Sequence, residues 1–291
     1  GGGQTALIIK FWRNESKQPL DAFAHRLAAP ALPVPEIVGG GRLPAPDGGR
    51  LTPRFAVRRG ELVAFTVYRA VAGTRPASAW ERQWDDRTRQ RAYHQAGAWL
   101  RNLHQVRAFA RSGPLVATDG RWEGTAADWP GYFAEQLERW DRELAAHDVP
   151  RAHRRLRRRV GAWLWRALPR LEAVERFVLC HRDFSFRNLL AYADGRLAAV
   201  IDFEHAIAGD PVFDWHRVAA WLLCHRCDAA AWQAFLAGYG ADPAHADLSG
   251  PLGIYLAFYA VSGMGYALRE ADAAFYADSA RLLEWVERHV L

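Results

Sequence analysis

The stretch Val178–Asp214, reading VLCHRDFSFRNLLAYADGRLAAVIDFEHAIAGDPVFD, constrains this chain more than any other. His181-Arg182-Asp183 is followed by Asn188, five residues past the aspartate, and Asp202 closes a strand-like run. Phe177–Cys180 is a short apolar run ending at His181, which sets Asp183 in a loop just past a strand. A second strand begins at Asn188, Ala193-Asp-Gly-Arg reads as a turn, and Leu197-Ala-Ala-Val-Ile as the hairpin partner. Folding that hairpin back brings Asp202 close to Asn188. A hairpin with solvated polar ends explains the Asp-Gly turn but not the convergence of Asp183, Asn188 and Asp202.

These groups suit phosphoryl transfer from a nucleotide. One carboxylate orients an attacking hydroxyl and accepts its proton, while an amide oxygen and a second carboxylate hold Mg²⁺ against the phosphates. On that chemistry Asp183 is the catalytic base, and Asn188 and Asp202 are the metal ligands. Composition adds Lys10. Lysine and arginine total 38, yet the only lysines are Lys10 and Lys17. Lys10 stands near the end of a strand-like run, Ala6–Trp12, where a compact charge on a flexible stem suits phosphate. The bland alternative is an edge-strand lysine facing water.

His181-Arg182-Asp183 with Asn188, Ile201-Asp202-Phe203, Gly209-Asp210-Pro211 and Asp214 resembles the aminoglycoside phosphotransferase family, a broad group that includes choline kinase and sugar and amino-sugar kinases. The resemblance implies an α+β, two-lobed protein-kinase-like fold. Residues 1–72 would form a small antiparallel-sheet N-lobe and residues 73–291 a larger, mainly helical C-lobe. It implies ATP or GTP as donor with Mg²⁺, and a small-molecule hydroxyl compound as acceptor. Lys10 would grip the α- and β-phosphates, Ser185 and Arg187 would reach the γ-phosphate, and Tyr68–Ala70 would present backbone groups to the purine; structural roles for Ser185 and Arg187 stay equally open. Asp210 and Asp214 would brace the catalytic loop, Asp214 also serving as a helix N-cap. Arg182 is expected to pair with a nearby carboxylate.

In the same fold a helix acid pairs with the strand lysine. Pro19–Leu27 is the helix candidate, with Asp21 the closest acid and Glu15 the next, where the family has glutamate. The phosphate-covering glycine loop belongs on a hairpin before the lysine strand, where only Gly1-Gly2-Gly3-Gln4-Thr5 stands. Glu204 occupies the place of the glycine in the Asp-Phe-Gly of protein kinases. The connection from Asp202 to Gly209 is too short for an activation loop, which favours the small-molecule branch.

The acceptor is less constrained. From Asp228 onward the acids Asp228, Asp242, Asp247, Glu270, Asp272, Asp278, Glu284 and Glu287 face only Arg269, Arg281 and Arg288. A locally acidic lobe favours a cationic acceptor, an aminoglycoside or other amine-bearing antibiotic, with a role in resistance or self-protection. A metabolic kinase for a sugar, amino sugar, nucleoside or amino alcohol is the alternative, and a non-catalytic nucleotide-binding homologue a further one.

At 291 residues the chain is long enough for two cores. Its net charge of +6 raises the question of nucleic acid, but the arginines are spread along amphipathic stretches. The one dense cluster, Arg151–Arg159, reads as a solvated helix start, so no nucleic-acid partner is expected. Cys180, Cys224 and Cys227 lack zinc spacing, and core packing in a reducing cytoplasm is expected for all three. No signal peptide is evident at the start. The uncharged run Pro251–Leu268 approaches spanning length, yet its glycines and tyrosines favour a buried core helix over a membrane span. Helical periodicity runs over Ala79–Arg111, Asp128–His147, His153–Glu175, Trp215–Cys224, Ala229–Leu236 and Ala271–His289. A monomer or homodimer is expected.

Overall fold

The computed structural model describes residues 6–44, 50–52, 55–56, 61–242 and 246–291. The cluster Gly1-Gly2-Gly3-Gln4-Thr5 lies outside them. The β-branched run LIIKF forms β1 (Leu7–Phe11), and α1 (Lys17–Ala28) follows, burying Ala24 and Ala28. Strand β2 (Ile37–Pro44) comes next, then the short pair β3 (Arg50–Thr52) and β4 (Phe55–Ala56), and then β5 (Leu62–Arg69). The three long strands make an antiparallel sheet in the order β1-β5-β2, with Lys10 opposite Thr66. Gly39-Gly40-Gly41, whose composition suggests a loop, continues strand β2. A Cβ on Gly40 would stand 2.8 Å from the Phe65 carbonyl oxygen, so glycine is what lets β2 lie this close to β5.

Strand β6 (Arg75–Pro76) leaves the sheet and pairs with the catalytic hairpin of the second lobe. Helix α2 (Ala77–Trp80) and helix α3 (Asp86–Gln105) take up the periodic stretch Ala79–Arg111 as two helices rather than one, and the helical reading fails past Gln105. Asp85 breaks the run by capping α3, its carboxylate accepting the Thr88 N–H at 2.7 Å. Beyond α3 the chain turns to strands that the periodicity missed: β7 (Ala108–Phe109), β8 (Gly113–Thr118) and β9 (Arg121–Gly124). Asp119 and Gly120, at φ 50° and 76°, form the tight turn between β8 and β9.

Helices α4 (Trp129–Ala145) and α5 (Arg151–Ala167) follow, and then β10 (Phe177–Cys180), β11 (Leu189–Ala191), β12 (Leu197–Val200) and β13 (Ile207–Gly209). Strands β11 and β12 are the expected hairpin, pairing Leu189 with Val200. Strand β10 lies between β7 and β13 in a five-stranded sheet. The chain closes with α6 (His216–Ala219), a π-helical turn over Ala220–Arg226, α7 (Ala229–Tyr239), α8 (Pro251–Arg269) and α9 (Ala273–His289). Of the apolar window in α8, 72% is buried inside the protein, as a core helix requires. Cys180 and Cys224 are buried, but Cys227 is exposed, since it ends the π-helical turn at φ 53° instead of facing the core.

Candidate active site

Asp214, fully buried, organises the loop after β10. Its carboxylate accepts the backbone N–H groups of His181 at 2.6 Å and Arg182 at 2.5 Å, and His104 Nε2 lies 3.1 Å away. Hydrogen bonds to a buried carboxylate are strong, and here they hold Arg182 at φ 67°, a conformation that costs a side-chain-bearing residue energy. Arg182 thus meets a carboxylate through its backbone, not through the expected guanidinium pairing. Asp214 sits inside the turn Pro211–Trp215, and the residue that caps this turn is Asp210, which accepts the Val212 N–H at 3.0 Å. The Tyr255 hydroxyl donates to the other Asp210 oxygen at 2.6 Å. The buried trio His104, Cys180 and Asp214 has metal-like donors, but these bonds, with Cys180 Sγ on the Asp210 carbonyl, already engage them.

The His181 ring reads out its own tautomer. Nε2 donates to the Ile201 carbonyl at 3.0 Å, which leaves Nδ1 to accept the Asp183 N–H at 3.3 Å. Asn188 Nδ2 donates to the Asp183 carbonyl at 3.0 Å, and the Ile201 N–H donates to the Asn188 carbonyl at 2.9 Å. These bonds draw Asp183, Asn188 and Asp202 to one end of the hairpin, as their spacing implies. With its nitrogen engaged, the Asn188 amide offers its oxygen. That oxygen and the Asp202 carboxylate are the hard donors that Mg²⁺ takes, so the residues fit the ion.

Lys10 reaches the same place from the other lobe. Its Nζ lies 2.5 Å from Asp202 Oδ1 and 2.8 Å from Glu204 Oε2, but 3.9 Å from Asp21 Oδ1. The expected acid, Asp21, is therefore the more distant partner, and Glu15 pairs with Arg42 instead. Asp21 is buried and accepts the Tyr68 hydroxyl at 2.5 Å; burial raises its pKa against the pull of Lys10. Burial also works to raise the Glu204 carboxyl, but His205, Lys10 and Lys17 outweigh it and hold the group well below the usual range. For Lys10 burial lowers the pKa, and the surrounding acids more than reverse this. Tyr68 departs from expectation: it pairs with Ile8 on one side and Ile37 on the other, and its hydroxyl serves Asp21. The Ala70 N–H donates to the Ala6 carbonyl at 2.9 Å, so the amide of this residue is engaged in the sheet.

A cleft of ≈ 480 Å³ opens beside Asp183, walled by Arg182, Arg187, Tyr259 and Phe275 among others. Arg187 is exposed, and Ser185 Oγ is buried without a hydrogen-bond partner among the described residues. The residue that sequence reasoning missed is Arg217 on α6. Its Nη2 lies 2.9 Å from Asp183 Oδ1, at an angle that makes an ion pair without a hydrogen bond. Nη1 donates to the Tyr259 hydroxyl at 2.8 Å, and the guanidinium sits 4.7 Å from that ring's centroid. The only signal was its place three residues past Asp214 at a helix start.

A sheet lobe carrying Lys10, set over a helical lobe that brings Asp183, Asn188 and Asp202 together, defines a protein-kinase-like phosphotransferase. Residues 2–249 match the model of the phosphotransferase enzyme family (APH), and the chain belongs to that family. It is an enzyme that transfers phosphate to a hydroxyl group. Among solved structures, aminoglycoside phosphotransferase APH(4)-Ia is 15% identical with a TM-score of 0.70, the match covering 100% of this chain and 88% of that one. A thermostable mutant of that enzyme, in ternary complex with ADP and hygromycin B, is 16% identical with a TM-score of 0.69, covering 99% and 88%. A choline/ethanolamine kinase family protein from Mesorhizobium loti is 17% identical with a TM-score of 0.63, covering 97% and 81%. At these identities the likeness is one of fold. No curated protein matches the chain.

Proposed function

We propose that this enzyme transfers the γ-phosphate of ATP or GTP, with Mg²⁺, to a hydroxyl of a small molecule bound beside Asp183. The observation that carries the reading is the run of bonds from Asp183 to Asn188 and from Asn188 to Ile201, the neighbour of Asp202, together with the Asp202–Lys10 ion pair, which brings these four side chains to one place between the two lobes. Asp183 orients the hydroxyl and takes its proton; in a loose transition state that transfer comes late, so positioning is most of its contribution. Asn188 and Asp202 hold Mg²⁺, which when bound neutralises charge on the phosphates. Lys10 binds phosphate and Glu204 orients Lys10. Ser185 faces the γ-phosphate, the Ala70 carbonyl faces the base, and Arg187, expected beside Ser185, turns to the acceptor cleft that it lines. The division into lobes falls after residue 72. A cytoplasmic setting is supported by three free cysteines. The test is nucleotide consumption, with ATP and with GTP, over antibiotics, amino sugars, amino alcohols and hydroxy acids. Consumption that needs both Mg²⁺ and an acceptor supports the reading; nucleotide that neither binds nor turns over refutes it.

An amine-bearing antibiotic is the second reading, supported by the likeness to a structure that holds hygromycin B. The charge argument for it is weaker than the sequence suggests. Asp228 pairs with Arg89 at 2.7 Å, Glu287 with Arg159 at 2.6 Å, and Glu270 with Arg269 at 3.1 Å. Asp247 accepts from Ser249, and Asp272 caps α9. These acids serve the fold.

A further inference from the structure

We propose that the acceptor is an anionic hydroxy compound, a carboxylate on an apolar body, recognised by Arg187 and Arg182 with Arg217 behind them; this rests on the kinase reading of the same cleft. The walls around Asp183 carry Arg182, Arg187 and Arg217, and the adjoining cavity of ≈ 380 Å³ shares Arg187 and Arg217 and adds Arg82. The acids in those walls keep their charge but most have bonds of their own, of which, among the described residues, only that of Asp183 is to an arginine. Asp183 faces Arg217, Asp272 caps α9, and buried Glu81 accepts the Tyr93 hydroxyl at 2.7 Å and Trp221 Nε1 at 2.9 Å. Exposed Asp278 is the remaining acid, at the rim of the smaller cavity.

The positive charge is also aimed. Arg217 is held on both sides, by Asp183 and by Tyr259, so its guanidinium cannot swing out to water. Its Nε is buried with no hydrogen-bond partner among the described residues, and Ser185 Oγ is in the same condition. An orphaned donor in a cleft wall calls for an acceptor, and an oxyanion beside Arg217 supplies one. An ammonium brought to this place would meet Arg217 and Arg187 in a half-buried site, where like charges are poorly screened. The body of the acceptor meets Tyr259, Phe258, Phe275 and Tyr266, which suit a flat apolar group. The hydroxyl then lies at Asp183 while the carboxylate reaches the arginine forks, which take carboxylates two oxygens at a time.

The experiment is titration calorimetry of the full chain with three matched probes: phenyllactate, its primary amide and the corresponding amino alcohol. Phenyllactate should bind at least about tenfold tighter than the amide, with the amino alcohol weakest, and the gap should narrow as salt rises. In Arg187→Glu the preference for the acid should disappear, while Mg·ADP, assigned to Asn188, Asp202 and Lys10, should still bind and report an intact fold. Equal or tighter binding of the amide or the amine, or no binding of phenyllactate, overturns the proposal while leaving the kinase reading in place. A wild-type chain that fails to bind Mg·ADP overturns the kinase reading, and the proposal with it.

Discussion

Lys10 Nζ and Asp202 Oδ1, 192 residues apart in sequence, meet at 2.5 Å across the two lobes. Glu204 joins them from two residues past Asp202, so one loop supplies both carboxylates that meet Lys10. Helix α1, which the resemblance makes the source of the orienting acid, contributes only the more distant Asp21.

This arrangement ranks three substitutions. Lys10→Ala should lower kcat/KM by about a hundredfold or more, as loss of a charged transition-state donor does, and Lys10→Arg should restore little because a planar fork replaces a compact ammonium. Glu204→Gln should cost about tenfold, chiefly in nucleotide KM. Asp21→Asn should cost less than either. Steady-state kinetics over nucleotide concentration checks the order, and Asp21→Asn proving worse than Glu204→Gln contradicts it.

Acid should weaken the fold before it protonates most carboxylates. His216 is buried; burial first, and the charge of Arg217 second, hold its imidazole down to about 4 from an ordinary 6.5, with Asp214 and Asp183 opposing. A folded pKa below the unfolded one means that the unfolded chain takes up a proton that the folded chain refuses. The stability is present in full above pH 6.5 and is lost as pH falls toward 4, by at most about 3 kcal/mol. His25 and His225 are lowered too and act in the same direction. Urea midpoints at neutral pH and near pH 5 measure the drop, and His216→Gln should remove part of it. A drop unchanged in that variant contradicts the assignment.

The hairpin β11–β12 and the convergence of Asp183, Asn188 and Asp202 at its end were legible because they are local: the strands, the turn and the motif all fall within one continuous stretch. Features that depend on contacts between distant segments were not. Glu204 becomes the partner of Lys10 only once the lobes meet, and Gly39-Gly40-Gly41 becomes a strand only because β5 lies against it. The hairpin at Asp119-Gly120 did carry a local signal, the same Asp-Gly turn read correctly at Asp194-Gly195, but helical spacing upstream masked it. The acidic tail is weaker evidence than its composition suggests for a physical reason: four of its eight carboxylates, Asp228, Glu270, Asp272 and Glu287, cap a helix or pair with arginine.

Two glycines test the helix packing of the second lobe. A Cβ on Gly97 of α3 would stand 2.1 Å from the Phe235 carbonyl oxygen of α7, whereas one on Gly161 of α5 meets nothing within 4 Å. Gly97→Ala should therefore destabilise by about 1–3 kcal/mol, and Gly161→Ala should be neutral or stabilise by up to about 1 kcal/mol. Denaturant titration should show a lower midpoint with an unchanged slope for Gly97→Ala. Equal midpoints for the two variants would mean that α3 and α7 do not approach this closely.

The proposed roles divide the chemistry, with Asp183 on the acceptor hydroxyl and Asp202 on the metal-bound nucleotide. The direct measurement is turnover and Mg·nucleotide affinity, side by side, in Asp183→Asn and Asp202→Ala. The account predicts that Asp183→Asn loses turnover by orders of magnitude with nucleotide affinity within about threefold of wild type, and that Asp202→Ala loses the affinity itself. Wild-type turnover in Asp183→Asn, or undiminished Mg·nucleotide affinity in Asp202→Ala, would contradict it.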